Sequence, residues 1–277
     1  MYFRPATLNE ALQTLSDQSA QILSGGTDFF PALGDRPVTG PVLDISALRE
    51  LRGIGIEPGF VRIGGRTTWT DLIAAPLPPC FNALKAAARE VGSIQIQNRG
   101  TVAGNLCNAS PAADGVPPLL ALDAEVELTS GAGQRRLRLA DFLVGNRKTA
   151  RHPDEILTNI FIPLTAPDAG SSFLKLGARR YLVISITMVA AIISRDSRGR
   201  VADARVAVGS CSATAQRLHE LERELVGALA RLGLGAIVTS SHLRALSPID
   251  DIRATGDYRR DASLTLVRRA IEECVRK

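Results

Sequence analysis

Aromatic residues and long apolar runs are scarce in this chain of 277 residues. Aromatics make up only 4% of it, with a single Trp. The longest apolar stretch, residues 184–193, is interrupted by Ser185 and Thr187 and is far shorter than the roughly 20 residues that cross a bilayer. No apolar core follows a basic segment at the start, so no signal peptide is expected. We therefore predict a cytoplasmic protein that does not insert into a membrane.

Cysteine and histidine are also few, and none has the spacing of a metal ligand. The cysteines stand far apart, at Cys80, Cys107, Cys211 and Cys274. Because zinc and iron–sulfur sites need closely spaced ligands, we interpret these thiols as reduced, packed residues. The three histidines are isolated as well, and no G-x-S-x-G motif surrounds Ser110. The sequence thus predicts neither a metal site nor a catalytic residue in this chain.

Basic residues exceed acidic ones, which gives a net charge of +5 and a pI of about 9.3. The arginines are scattered, and no DNA- or RNA-binding signature accompanies them. We therefore predict a solvated basic surface and no nucleic-acid partner. Hydrophobic residues at 45% and charged residues at 22% indicate a folded chain, and its length favours one large or two modest domains.

The first part of the chain alternates short strands with helices. Thr7 and Glu10 form a capping-box pattern that opens an amphipathic helix. We predict strands at residues 21–23, 42–45, 53–57, 60–63 and 156–162, a hairpin of residues 124–129 and 134–139, and helices at residues 81–91 and 115–122. Residues 97–105 are polar, small and glycine-containing, so we expect a loop that wraps around a ligand or packs tightly.

The second part begins after a linker. Residues 165–170 cluster Pro, Gly and Asp and are the best linker candidate. Beyond them we predict three consecutive strands and then helices, at residues 172–177, 186–194, 201–208, 216–225 and 258–275. Strands followed by helices in one block are typical of an α+β domain.

The strand at residues 21–23 leads directly into a small-residue segment, Ser24-Gly25-Gly26-Thr27-Asp28. Adjacent glycines permit positive φ and let backbone N–H groups converge on an anion, and a Thr hydroxyl can donate to a phosphate oxygen. The pattern suits a diphosphate, and it equally suits an ordinary tight turn.

A second segment of the same character runs from Gly100 to Asp114. Its glycines would bring main chain close to a ligand, Thr101 and Asn105 offer compact donors, and Asp114 could accept from ribose hydroxyls. Neither segment matches a P-loop, which carries a lysine, or the G-x-G-x-x-G that opens a Rossmann helix.

Together the two segments carry a family resemblance. Residues 23–31 (LSGGTDFFP) and 97–114 (QNRGTVAGNLCNASPAAD) resemble the two FAD-binding loops of the medium subunit of the xanthine dehydrogenase and carbon monoxide dehydrogenase family. Residues 248–253 (PIDDIR) and 258–260 (YRR) are similar to the closing segment of that subunit. The resemblance therefore covers nearly the whole chain.

The resemblance implies an α+β fold in two domains. Residues 1–168 would form a two-lobed FAD-binding domain of the vanillyl-alcohol-oxidase (PCMH) type, with lobes at about 1–55 and 56–168. Residues 169–277 would form a small α+β domain with a three-stranded antiparallel sheet and helices, of the CO dehydrogenase flavoprotein type.

The resemblance also implies which residues contact FAD. The first segment would supply Ser24, Gly25, Gly26, Thr27, Asp28 and Phe29, and the second Thr101, Gly104 and Asn105, all around the diphosphate. Asp114 would hold the ribose side, while Leu157 and Lys175 would lie by the flavin ring. Many relatives carry an acidic residue where this chain has residues 184–186, so Tyr181 and Ser185 are not among the predicted contacts.

The resemblance implies an electron-transfer subunit. A large subunit with the molybdenum cofactor would oxidise the substrate, a small subunit with [2Fe-2S] clusters would relay single electrons, and FAD in this chain would collect them for an external acceptor. A dimer of such heterotrimers is expected. The organic substrate would be selected in another subunit, and the final acceptor would be NAD, a quinone, oxygen or a protein. The alternatives are a stand-alone flavin oxidoreductase acting on its own substrate and a nucleotide-binding scaffold without redox activity.

Overall fold

The computed structural model describes residues 1–276, which fold into two compact units. Unit 1 contains Met1–Ala75, Ile94–Ala109 and Ala124–Pro163, and unit 2 contains Pro76–Ser93, Ser110–Asp123 and the chain from Leu164 onward. Because the chain passes between the units several times, neither unit is one continuous stretch of sequence. The domain boundary near residue 168 stays a prediction.

Unit 1 begins with a small parallel sheet in the order β1-β3-β2. Its elements are β1 (Tyr2–Phe3), α1 (Leu8–Asp17), β2 (Gln21–Leu23), α2 (Phe29–Leu33) and β3 (Val42–Asp44). The predicted capping box of Thr7 and Glu10 is confirmed, since each side chain bonds the other residue's backbone N–H. Leu12 and Leu15 on α1 pack against Leu43 of β3 in one core cluster. The apolar face of α1 thus covers the sheet.

Unit 1 also contains an antiparallel sheet of five strands, in the order β4-β5-β10-β6-β7. Its strands are β4 (Ile54–Glu57), β5 (Phe60–Gly64), β6 (Glu125–Ser130), β7 (Gly133–Arg138) and β10 (Ile156–Pro163), and a two-stranded ribbon pairs β8 (Leu143–Gly145) with β9 (Lys148–Thr149). The predicted strands and the predicted hairpin of β6 and β7 are confirmed. Helices α3 (Trp69–Ala74), α5 (Ile94–Arg99), α6 (Val102–Asn108) and α8 (Leu139–Phe142) complete this unit.

The expectation of a loop at residues 97–105 was wrong, because α5 and α6 occupy most of it. Only Gly100 and Thr101 interrupt the helices. Thr101 has extended backbone angles and its hydroxyl accepts from the Gly104 N–H, which makes it the N-cap of α6. The small residues that resemble a loop in sequence are therefore a helix start, where a Thr cap compensates for poor helix formers.

Unit 2 is built on an antiparallel sheet in the order β11-β12-β13-β14. Its strands are β11 (Gly170–Leu176), β12 (Thr187–Arg195), β13 (Val201–Gly209) and the short β14 (Gln216–Arg217), and its helices are α4 (Asn82–Glu90), α7 (Val116–Ala121), α9 (His219–Leu225) and α10 (Gly256–Val275). The three predicted strands and the terminal helix are confirmed. The helix predicted at 216–225 begins later, because Gln216 and Arg217 pair with β13 as a fourth strand.

Two faces of this sheet are covered by helices from different parts of the chain. Val267 and Ile271 of α10 share a buried core with Val189 of β12 and Val206 of β13, while α4 packs on β11 and α7 packs on β12 and β13. Within residues 1–276, no helix is long and apolar enough to cross a membrane.

Candidate cofactor-binding site

The first predicted segment is a tight turn between β2 and α2. Gly26 has φ +77°, the left-handed region that glycine adopts without strain. Asp28 precedes the first residue of α2, yet its side chain does not cap the helix. Phe29 stacks edge-to-face on Phe30, with ring centroids 5.3 Å apart. The Asp28 carboxylate is therefore not used to cap this helix.

The two predicted segments meet in unit 1. A methyl group added to Gly25 would lie 2.1 Å from the carbonyl oxygen of Arg99, so only glycine permits this approach. The Ser24 hydroxyl lies 3.3 Å from the Thr101 hydroxyl, and a Cβ on Gly100 would lie 3.2 Å from Thr27 Oγ1. Segments more than 70 residues apart in sequence thus form one backbone cradle, defined here as residues 24–28 together with residues 99–105.

Asn105 supplies an unpaired polar atom in this cradle. Its side-chain Oδ1 is buried and has no hydrogen-bond partner among residues 1–276. A buried acceptor without a partner costs roughly 1–3 kcal/mol, and a sugar-type hydroxyl would satisfy it. The hydroxyls of Thr27 and Thr101 add compact polar groups, so the cradle fits the diphosphate and the adjoining hydroxyls of a nucleotide.

Gly104 has a structural role in the cradle. A Cβ there would come within 2.7 Å of Thr101 Oγ1, the atom that caps α6. The absence of a Cβ at Gly104 therefore leaves room for the Thr101 hydroxyl that caps α6. Whether it also borders a ligand stays a prediction.

Leu157, a predicted contact of the flavin ring, lies in β10 of unit 1. Its side chain is buried, and its carbonyl oxygen would lie 2.2 Å from a Cβ on Gly65. The pairing of β10 with β6 shifts register just after it, and α6 packs against β10. Leu157 is thus part of the strand that supports the second segment.

Asp114 and Lys175, predicted for opposite ends of the cofactor, form one ion pair in unit 2. Lys175 Nζ lies 2.7 Å from Asp114 Oδ2, and the two side chains are only 7% and 9% exposed. The Ser185 hydroxyl donates to the other oxygen, Oδ1, at 2.7 Å. The Lys175 ammonium also lies 3.5 Å from the carbonyl oxygen of Glu90. Residues that the resemblance treats as separate contacts are therefore one polar cluster.

Burial is the main influence on the Asp114 carboxyl. It raises the pKa above the ordinary value of 3.8, and the Lys175 ammonium and the Ser185 hydroxyl, which favour the charged form, offset only part of this effect. Both partners therefore oppose the effect of burial on this carboxyl.

Ser185 is the residue that sequence reasoning missed. It is 1% exposed, although the neighbouring Ile184 is 51% exposed. No signal in the sequence around it points to this role, because its partner stands 71 residues away.

The histidines are paired with nearby carboxylates: His152 with Glu155, His219 with Glu222 and His242 with Glu224. Among residues 1–276, no group of three or more His, Cys, Asp or Glu side chains is arranged to hold a metal ion. The pKa of the Cys107 thiol is raised to about 11 by burial, so this thiol is not a reactive group.

Comparison with known families gives two matches that together span most of the chain. The FAD binding domain in molybdopterin dehydrogenase matches residues 1–165, and the CO dehydrogenase flavoprotein C-terminal domain matches residues 172–274. The xanthine dehydrogenase FAD-binding subunit of Escherichia coli O157:H7 is 34% identical, over 99% of this chain and 95% of that protein. The nicotinate dehydrogenase FAD-subunit of Eubacterium barkeri is 36% identical, over 82% and 79%.

Solved structures share the fold as well. The carbon monoxide dehydrogenase of Hydrogenophaga pseudoflava contains a chain that superposes with a TM-score of 0.90 at 27% identity, covering 99% of this chain and 96% of that one. Quinoline 2-oxidoreductase of Pseudomonas putida 86 contains one with a TM-score of 0.91 at 27% identity and the same coverage.

Proposed function

This chain belongs to the family of FAD-binding subunits of molybdenum hydroxylases, and from that premise we propose that it binds FAD and passes electrons from a [2Fe-2S] subunit to an acceptor outside the complex. The chain is then an oxidoreductase flavoprotein subunit, and the oxidation of the organic substrate takes place in another subunit.

The cradle in unit 1 is the observation that carries the proposal. A Cβ on Gly25 would clash with the backbone of Arg99, and the Ser24 hydroxyl reaches Thr101. Asn105 has a buried oxygen that no residue in 1–276 satisfies. We assign the diphosphate of FAD to the cradle. The contacts to be tested are those of Ser24, Gly25, Gly26, Thr27, Asp28, Phe29, Thr101, Gly104 and Asn105.

Asp114, Leu157 and Lys175 are the further proposed contacts of FAD. Asp114 and Lys175 would contact FAD as an ion pair, in which the Lys175 ammonium is buried. When bound, FAD supplies the ability to take up electrons singly and release them as a pair, and charges near its ring tune the potential. The residues of this chain bind, orient and tune the cofactor.

The proposed partners are a large subunit with the molybdenum cofactor and a small subunit with [2Fe-2S] clusters, arranged as a heterotrimer that dimerises. The relatives named above are subunits of dehydrogenases for xanthine and nicotinate. Since similar flavoprotein chains serve different substrates, we propose that the substrate is selected in the large subunit.

Affinity purification of the full chain from its native cells tests this proposal. We expect two further subunits to co-purify, with FAD, molybdenum and iron in fixed ratios. The isolated chain should bind FAD but should not be reduced by the organic substrate. A chain that purifies alone and whose flavin is reduced directly by a substrate would instead support a stand-alone oxidoreductase.

A further inference from the structure

The two oxygens of Asp114 have different partners in unit 2. Oδ2 accepts from the Lys175 ammonium and Oδ1 accepts from the Ser185 hydroxyl, each at 2.7 Å. Ser185 is 1% exposed, and the side chains of the ion pair are less than one-tenth exposed. Water therefore has little access to replace a lost partner.

The backbone around Ser185 is held from two sides. The N–H of the next residue, Ile186, donates to the carbonyl oxygen of Leu176 at 2.8 Å, and Leu176 directly follows Lys175. The carbonyl oxygen of Ile186 accepts from the guanidinium of Arg259 at 2.6 Å. Arg259 is 3% exposed and is paired with Asp251 at 2.7 Å. The Ser185 hydroxyl is thus aimed at Asp114 by a rigid framework.

We propose that Ser185 is a positioning residue for FAD: its hydroxyl holds one oxygen of Asp114, so that the other oxygen keeps the ammonium of Lys175 in a fixed place. This inference rests on the proposed function, because it assumes that Lys175 lies by the flavin ring. It adds a residue and a role that the family resemblance does not supply.

Burial of Asp114 makes the loss of the Ser185 hydroxyl costly. Without the hydroxyl, Oδ1 would be a buried anionic oxygen with one hydrogen bond fewer, which favours the protonated carboxyl. A neutral Asp114 would no longer fix the Lys175 ammonium beside the flavin. Because a fixed positive charge favours the more negative, reduced form of a flavin, the reduction potential should fall.

The experiment measures the midpoint potential of FAD in the full chain by redox titration with a reference dye. We expect Ser185→Ala to lower the ratio of reduced to oxidised flavin about tenfold at a given potential, a shift of about 30 mV for two electrons. Ser171→Ala is the matched control. Ser171 is also buried and donates to the carbonyl oxygen of Pro79 at 2.8 Å, so its loss should reduce stability without moving the potential.

A background without the ion pair, Asp114→Asn with Lys175→Met, separates positioning from a merely structural role. Adding Ser185→Ala to this background should produce no further shift. Lys175→Met alone serves the same purpose if the double variant does not fold. An unchanged potential in Ser185→Ala, or an equal shift with and without Lys175, would overturn the inference. A wild-type chain that takes up no FAD would overturn the proposed function and this inference with it.

Discussion

At the scale of single residues, the cradle depends on positions where a side chain is excluded or left unpaired. Gly25 excludes a Cβ because the carbonyl oxygen of Arg99 occupies its space. Asn105 presents an oxygen that no residue in 1–276 satisfies. The first feature is a close approach of two backbone segments, and the second is an unpaired hydrogen-bond acceptor. Each can be removed by one substitution.

Gly25→Ala should push the two segments apart and abolish FAD retention. Overpacking against backbone costs about 1–3 kcal/mol, so the free energy of unfolding should fall by that amount. Gly131→Ala is the control, because a Cβ at Gly131 would meet no atom within 4 Å. Flavin absorbance and thermal unfolding of both variants provide the measurement. Full flavin content in Gly25→Ala would contradict the proposed cradle.

Asn105→Ala should weaken FAD binding by about 1–3 kcal/mol, because the hydrogen bond proposed for the buried amide is lost. A fluorescence titration of the apoprotein with FAD measures the dissociation constant. Asn9→Ala, an exposed substitution on α1, should leave it unchanged. Equal affinities in wild type and Asn105→Ala would remove Asn105 from the site.

At the scale of elements, the start of α6 is the critical structure. Thr101 caps the helix through Gly104 and also reaches Ser24. The Thr101 hydroxyl therefore both caps its own helix and contacts the other segment of the cradle.

Thr101→Val should lose the cap at a cost of about 1 kcal/mol and should also weaken FAD binding. Thr7→Val removes the cap of α1, which has the same type of bond, so it should cost similar stability and leave FAD binding intact. Urea unfolding and FAD titration measure the two effects. A Thr101→Val variant with normal affinity would show that the cap has no part in the site.

The turn before α10 makes a pH-dependent contribution. Partial burial raises the pKa of Asp251, but hydrogen bonds from the backbone and side chain of Arg253 and from Arg259 outweigh it and lower the pKa from 3.8 to about 2. A carboxyl whose pKa is lower in the folded than in the unfolded protein stabilises the fold at pH values above its unfolded pKa. This stabilisation is lost as the pH falls towards the folded pKa. The stability advantage of wild type over Asp251→Asn should therefore be full above about pH 4 and decline towards pH 2. Acid unfolding curves that stay parallel across this range would refute the assignment.

At the scale of the whole molecule, the helices α4 and α7 belong to the unit that also contains the later strands. Leu84 and Ala87 of α4 are fully buried, and α4 packs on β11. The backbone N–H of Ser210 donates to the carbonyl oxygen of Pro111 at 3.0 Å. A division of the chain at residue 168 would separate these helices from their sheet.

A fragment of residues 1–168 should therefore aggregate or fail to unfold cooperatively, since α4 and α7 would expose apolar faces. Co-expression with residues 169–277 should restore a folded complex. Circular dichroism and thermal unfolding of the fragment, alone and with its complement, provide the measurement. Cooperative unfolding of the fragment alone would show that the boundary predicted from sequence is also a folding boundary.

Sequence by itself determined the elements with strong local periodicity: the capped α1, the alternating strands β6 and β7, and the long α10. It also indicated both segments of the cradle, through a family resemblance. These features are readable because each depends on neighbouring residues, on side-chain period or on a turn that only glycine permits.

Only the tertiary structure decided that residues 97–105 are mainly helical, that Gly25 touches Arg99, and that Asp114, Lys175 and Ser185 form one cluster. The two segments of the cradle are more than 70 residues apart, and Ser185 lies 71 residues from Asp114. No local pattern encodes such contacts, because burial and hydrogen-bond partners are set by the packing of the whole unit rather than by adjacent residues.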